Sequence, residues 1–537
     1  MLGCGGGGEE LANPRIDLPD SSVDSQPLTI IETIPRSDVI NADPDRTTLA
    51  IAHLSRNNPT SDFSTNCSNI KSIKISRRIT DPGPENFSEI TQHIIDCDLE
   101  ENTEHTITLT DQGPDGENLE GDHKFSTGVS TENEIIVKES IALSRDQVRN
   151  LFASYVSGAL LSDLEAPAAV IDLILEPFLG IADQYWKTLL DPRPLYDVIS
   201  ERVSYQSQDP FGNPITDLTG LVSYPDIQGM SEFSKRSTMI LLSHATGSSP
   251  GDLNPEDAWF IIANQLSSRG YLVLAPDNYG RGKDNNNEET YLLAAQTAFN
   301  GLDLVLSINN NKSYDPIYEG KKITLIGYSQ GGHSATNLLS LSDIKLHEHK
   351  VVESFLGGAP FNLYKTFKGV LEFLNGSCSN REYCEFVDSR TSVPFATNRI
   401  LPALVNYSET GLDINDLVIE NTLSDDFVNG FLASDPLYEK LKLLLELNSL
   451  TNVKNPESFF PKDTLINLYH SPFDRLVPIA NSQDFMSNFS SEFEINFDQS
   501  ECNANAFEVI FETIDKAGIV HTLCALNVLD AVISQLR

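Results

Sequence analysis

The stretch Ile323-Thr324-Leu325-Ile326-Gly327-Tyr328-Ser329-Gln330-Gly331-Gly332-His333-Ser334-Ala335-Thr336-Asn337-Leu338 decides how this sequence is read. It opens on four apolar or β-branched residues, the pattern of a buried strand, and runs through glycines into a helix-forming segment. Between the two stands G-x-S-x-G: Gly327, Ser329 and Gly331. A serine at the apex of a tight strand–turn–helix junction has its hydroxyl lifted clear of the sheet. Gly327 and Gly331 have no side chain, so strand and helix can close around it. The Gln330 amide then lies at a helix N-terminus, where N–H groups lack intrahelical acceptors and favour negative charge. The pentapeptide recurs at Gly247-Ser248-Ser249-Pro250-Gly251. There Pro250 follows the central serine and has no N–H to offer, and no helical pattern follows at once, so we read a loop.

Outward from this junction, strand-like runs alternate with longer helical stretches. The runs are Met239–Leu242, Tyr271–Ala275, Ile323–Ile326, Val351–Leu356, Leu465–Tyr469 and Glu508–Phe511. Such alternation predicts an α/β fold, a mostly parallel sheet with helices on both faces. About a hundred apolar, partly helical residues separate the fourth and fifth runs. A connection of that length is an inserted subdomain and not a loop; we place it at about 360–460.

The chain from about 195 to 537 resembles α/β-hydrolases, and within them bacterial serine esterases akin to secretory lipases. The resemblance is carried by Gly327-Tyr328-Ser329-Gln330-Gly331-Gly332-His333, by Ala275-Pro276-Asp277-Asn278-Tyr279-Gly280, by Leu242-Ser243-His244-Ala245-Thr246-Gly247 and by the hairpin-like Val203–Pro214. It implies a triad in the order Ser, acid, His. Asp474, in the loop after Leu465–Tyr469, matches the acid. His521 alone among the ten histidines lies beyond the last expected strand, just before a terminal helix, and matches the base. His470 precedes Asp474 and is out of order; His333 is read as a packing residue, and His347 and His349 lie in a charged, surface-like stretch. The implied oxyanion donors are the Gln330 amide and that of Ala245 or Thr246. The implied chemistry is cleavage of carboxylic esters, including lipids, through an acyl-enzyme, with no metal or organic cofactor. The alternatives are a serine peptidase of the same fold and a non-catalytic surface binding protein.

Upstream, residues 27–129 read as all-β, in short alternating runs such as Thr48-Leu49-Ala50-Ile51 and Thr106-Ile107-Thr108-Leu109 separated by turn-rich stretches. Thr33-Ile34-Pro35 and Gly121-Asp122-His123-Lys124-Phe125-Ser126-Thr127-Gly128 resemble bacterial Ig-like domains of the S-layer type. Residues 130–194 are expected to form a helical connector, with Ser144 as a helix N-cap. Residues 98–122 carry nine acids and no Lys or Arg, which we read as a solvated acidic edge rather than a calcium site. Residues 1–26 read as a flexible start, where Met1-Leu2-Gly3-Cys4 and the following glycines resemble the end of a bacterial lipoprotein signal, lipidated at Cys4. The other six cysteines fall into local pairs, Cys67–Cys97, Cys378–Cys384 and Cys502–Cys524, which suit an oxidising compartment and hence export. Composition agrees with a folded chain: 537 residues, 40% hydrophobic, with no run of 18 apolar residues. With 37 Lys+Arg against 77 Asp+Glu the net charge is −40, which excludes nucleic-acid binding by charge.

Overall fold

A computed structural model describes residues 26–536 apart from 56–60, 82–86, 113–117, 132–134, 162–193, 284, 310, 386, 388, 390 and 500–516. Among these residues the N-terminal part forms two four-stranded sheets. One contains β1 (Gln26–Pro27), β8 (Asn118–Ser126), β7 (Glu104–Gln112) and β4 (Asp62–Thr65); the other contains β2 (Ile30–Ile34), β3 (Leu49–Ser55), β6 (Glu89–Asp98) and β5 (Ser68–Arg78). They face each other across a small core that includes Leu49, Ile51, Ile95, Ile107, Leu109 and Phe125. Of the acids of 98–122, Asp98 ends β6, Glu100 and Glu101 precede β7, Glu104 and Asp111 lie on β7 and Glu120 and Asp122 on β8, while Asp115 and Glu117 lie outside the described residues. Asp111 is buried and accepts from Ser55 Oγ at 3.0 Å, and Asp122 accepts from Thr108 Oγ1 at 2.7 Å. Cys67 and Cys97 are bridged.

All seven residues of β3 are buried, so this sheet is covered on both faces. Leu49 and Ile51 point into the sandwich core, whereas Ala50 joins the core of the second, larger sheet and Ala52 and Leu54 join that of the helical insertion. The contact is also polar and buried. Thr48 N donates to Gln208 Oε1 at 2.8 Å while Gln208 Nε2 returns a bond to Thr48 O at 3.1 Å. Lys345 Nζ bridges Thr48 Oγ1 and Asp303, both at 2.8 Å.

The larger sheet has nine strands in the order β19-β18-β15-β14-β12-β13-β11-β10-β9. These are β9 (Ile136–Leu143), β10 (Val198–Gln208), β11 (Pro214–Pro225), β12 (Arg236–Ser243), β13 (Val273–Pro276), β14 (Tyr318–Tyr328), β15 (Lys350–Gly357), β18 (Leu465–Tyr469) and β19 (Ile495–Asp498). The six strands from β19 to β13 run parallel; β11, β10 and β9 are added antiparallel. Parallel strands are buried on both faces, and β12 shows it residue by residue. Met239 and Leu241 meet one helical layer, α3 (Ala294–Asn309) and α4 (Gln330–Lys345). Ile240 and Leu242 meet the other, α1 (Arg145–Leu161), α2 (Ala258–Ser267) and α9 (Ala517–Gln535).

Two expectations need correction. The 130–194 connector is not helical from its start and the larger domain does not begin at 195. Ile136–Leu143 is the ninth strand of its sheet, paired with β10 so that Leu143 faces Val198, because Ile141 and Leu143 pack into the apolar layer under α1. Ser144 does cap α1, accepting from Gln147 N at 3.3 Å. The run Glu508–Phe511 lies outside the described residues; among those described, the strand beyond β18 is β19. Between β15 and β18 the expected insertion is a helical cap. It holds α5 (Leu363–Leu374), α6 (Asp425–Leu432), α7 (Glu439–Leu447), shorter helical turns, a small ribbon of β16 (Val418–Ile419) with β17 (Thr422–Leu423), and the Cys378–Cys384 bridge. Its apolar residues form their own cluster, with Phe367, Phe427 and Phe431 buried at the centre. After β18, α8 (Ala480–Phe489) returns the chain to the sheet.

Candidate active site

Ser329 stands between the last residue of β14 and the first of α4, with φ +58° and ψ −125°. An L-residue adopts this conformation only where the surroundings enforce it. Ser249, the centre of the second pentapeptide, has a relaxed φ of −148° and merely steadies its loop, its amide donating to Asp257 at 2.8 Å. What enforces the Ser329 turn is the absence of side chains beside it. A Cβ on Gly327 would lie 2.1 Å from Gly331 O, and one on Gly331 would lie 2.1 Å from Ser243 O and 2.8 Å from His244 O. The same close approach seats the loop after β12, with Ala245 and Thr246, directly against the turn. Gly247, at φ +84°, reverses that loop, and Arg281 holds Gly247 O at 2.5 Å. Gln330 is buried at the first turn of α4, where the leading amides have no acceptor within the helix.

Asp474 lies in the loop after β18, fully buried. Oδ1 accepts from the amides of Leu476 and Val477, both at 2.9 Å, and Oδ2 is 2.6 Å from His521 Nδ1. Burial works to raise the Asp474 carboxyl. The neighbouring His521, together with hydrogen bonds from His470 and His521, outweighs it and holds the group well below the usual carboxylate range. His521 is in the opening turns of α9 and not in a loop before it, because the run from Ile519 onward meets no helix breaker. Its Nδ1 proton belongs to Asp474, and its buried Nε2 has no hydrogen-bond partner among the described residues, Ser329 Oγ included. The ring lies 4.9 Å from that of Tyr328, the neighbour of Ser329, and a Cβ on Gly358 (φ +52°) would come within 3.0 Å of His521 Cε1. Cys524, one turn beyond, is disulfide-bonded; Cys502 lies outside the described residues, as does Cys4.

His470 also touches the acid, its Nε2 lying 3.4 Å from Asp474 Oδ2. His470 Nε2 donates to Val477 O at 2.8 Å and its Nδ1 meets Ser482 Oγ at 2.7 Å, so its ring buttresses the Asp474 loop. His333 is buried on α4 against Asn448 O at 2.8 Å, and burial pushes its pKa down to about 4. His347 is an exposed neighbour of Asp96.

The Dienelactone hydrolase family matches residues 250–347, which include the Ser329 turn. In structure the chain is similar to a Legionella pneumophila protein described as a hydrolase, with a TM-score of 0.50 at 17% identity over 75% of this chain and 98% of that one. The chain has the α/β-hydrolase fold. Two further likenesses are to the rice cell wall degrading esterase LipA of Xanthomonas oryzae (TM-score 0.48, 18% identity, 75% of this chain and 97% of that one) and to Candida antarctica lipase A (0.35, 15%, 57% and 73%). No curated protein matches the chain. Family match and fold together support a hydrolase.

Ser329 opens onto a narrow cleft of about 50 Å³ under the cap. Its walls are largely apolar: Leu363, Phe367 and Val370 of α5, Phe395 and Ile400 of the cap, and Leu476 beside Asp474. None of these was picked out from the sequence, where they read as ordinary core residues. Leu292 also lines it, at φ +58°. So does Tyr291, whose hydroxyl is 2.9 Å from Thr246 Oγ1.

Proposed function

We propose that this protein is a serine hydrolase of carboxylic esters, in which Ser329 attacks the acyl carbonyl and His521 takes its proton. The observation that carries the reading is the constellation at one end of the sheet. A serine in enforced strain shares that end with a buried imidazole whose Nδ1 is fixed by a carboxylate and whose Nε2 has no hydrogen-bond partner among the described residues. Asp474 fixes the tautomer and stabilises the imidazolium that forms. A hydroxyl–imidazole bond absent from an empty site commonly closes when substrate settles there. The oxyanion is assigned to the Gln330 amide and to that of Ala245 or Thr246, and water then releases the acyl group. The apolar cleft suits an acyl chain better than a peptide, whose amides would lack partners against its leucine and phenylalanine walls. Two disulfides and a bonded Cys524 support an oxidising compartment, and we read the protein as exported.

The test is hydrolysis of p-nitrophenyl esters from acetyl to palmitoyl by the wild type and by Ser329→Ala. Turnover that disappears in the variant is expected, with a chain-length optimum beyond acetyl. A wild type silent on every ester, or a variant that keeps its activity, would refute the reading.

A further inference from the structure

Glu289 is a buried carboxylate that the chemistry above does not use. It lies in the segment joining β13 to α3, and its two oxygens go to two different parts of the molecule. Oε1 accepts from Gln330 Nε2 at 2.5 Å, and Oε2 pairs with Arg399 Nη1 of the cap at 3.0 Å. The Gln330 side-chain oxygen has no hydrogen-bond partner among the described residues, so the bond to Glu289 is what orients that side chain.

The carboxylate cannot easily shift. A Cβ on Gly280 would lie 2.0 Å from Glu288 O and 2.5 Å from Glu289 Cα, so this backbone is pressed onto that of Gly280. Thr290 N donates to Tyr279 O at 3.1 Å. The same segment meets the cap twice more: Tyr407 OH donates to Glu288 O at 2.5 Å, and Tyr291 stacks on Phe395 with ring centroids 6.5 Å apart. On its other side Tyr291 reaches Thr246 of the oxyanion loop. The segment is thus a junction between the cap and both assigned oxyanion donors.

Charge gives the junction a direction. The Glu289 side chain is 2% exposed and that of Arg399 is 32% exposed. The acid is locked in the body, while the cation sits at the rim on the part that covers the cleft. A buried carboxylate is stable only while its partners are in place. We propose that Glu289 is a positioning residue: it couples the seating of the cap, sensed through Arg399, to the placement of Gln330 and hence of the oxyanion-binding amide. This rests on the ester-hydrolase reading.

The test compares wild type, Arg399→Met, Arg399→Lys, Glu289→Gln and the Arg399→Met/Glu289→Gln double variant. Each is assayed with p-nitrophenyl octanoate, labelled with a fluorophosphonate and melted to check folding. Both single variants should lose about tenfold in kcat with KM within twofold, well short of the 10²–10³ that follows loss of an oxyanion donor itself. The double variant should be no slower than the slower single variant, because the two residues act as one unit, and Arg399→Lys should recover most of kcat. Fluorophosphonate should still label Ser329 in all of them, more slowly where kcat falls. Additive losses in folded variants, a loss confined to KM, or unchanged kcat in Glu289→Gln would overturn the coupling while leaving the ester-hydrolase reading intact. A wild type that is neither labelled at Ser329 nor active would overturn both.

Discussion

Glu446, on α7, gives the sharpest test of how the N-terminal sandwich and the cap fit together. Its side chain is buried; one oxygen accepts from Thr80 N of the sandwich at 2.9 Å and the other has no hydrogen-bond partner among the described residues. Burial pushes its carboxyl up to about 7 from an ordinary 4.5, against the lowering influence of Thr80. A pKa higher in the folded than in the unfolded chain means that folding retains this proton. The associated stability is complete below about pH 4.5 and is lost as pH rises through 7. At 1.36 kcal/mol per pH unit the loss is about 3 kcal/mol. Spread over a cooperative unit of about 350–400 residues, at about 2 cal/mol/K of unfolding entropy each, it corresponds to about 4 °C in Tm. Glu446→Gln keeps the shape and the acceptor for Thr80 but removes the titration. We expect the Tm of the wild type, relative to this variant, to fall by about 4 °C between pH 5 and pH 8.5 in thermal melts. Melting curves that stay parallel across this range would show that Glu446 is solvated in the folded protein and that the sandwich does not cover the base of the cap.

Asp474→Asn should leave the fold intact and lower kcat on p-nitrophenyl esters by about 10⁴-fold, since the amide favours the wrong His521 tautomer; loss of less than about tenfold would remove Asp474 from the triad. Val370→Trp fills the cleft beside Ser329 and should abolish turnover of octanoyl and longer esters while sparing acetyl, read as kcat/KM along the chain-length series. In the sandwich, burial and then the neighbouring His53 push His93 down to about 3. Its neutral ring contributes stability above about pH 6.5 that is lost as pH falls toward 3, so melts of His93→Gln should show a shallower acid decline than the wild type.

The sheet was legible because β12, β14 and β18 are short apolar runs beside turn chemistry, and the Ser329 turn because glycine has no substitute at two contacts of 2.1 Å. Asp474 was legible from its place after β18. What the sequence hid follows from two effects. Ile136–Leu143 is an edge strand with mostly exposed residues, so it lacks the apolar signal that marked its neighbours. Glu289 and Arg399 are 110 positions apart and belong to no local pattern; only the folded chain brings the carboxylate, the guanidinium and Gln330 together. The double-sided burial of β3 was hidden in the same way, since Leu49-Ala50-Ile51-Ala52 fits a strand with one covered face as well as one with two.

That double burial bears on what the sandwich does. The face of β2-β3-β6-β5 turned away from its own core is occupied by the larger sheet and the cap. That face anchors the stretch by which the cap returns to the sheet. Arg77, fully buried, donates from Nε to Ser449 O at 2.9 Å and from Nη1 to Gln92 Oε1 at 3.1 Å; Arg78 N meets Asn452 O at 3.0 Å, Lys454 N meets Ser76 O at 2.8 Å, and Lys454 pairs with Glu89. A hydrogen bond to a buried charged group such as Arg77 contributes about 1.5–3 kcal/mol, so these contacts hold the base of the cap against the sandwich. The part of the cap between α5 and α6, which holds the Cys378–Cys384 bridge, Phe395 and Arg399, lines the cleft instead. The cation paired with Glu289 therefore belongs to the cleft-lining part of the cap, which is why we tie cap seating to Gln330 placement at that residue and not at the base.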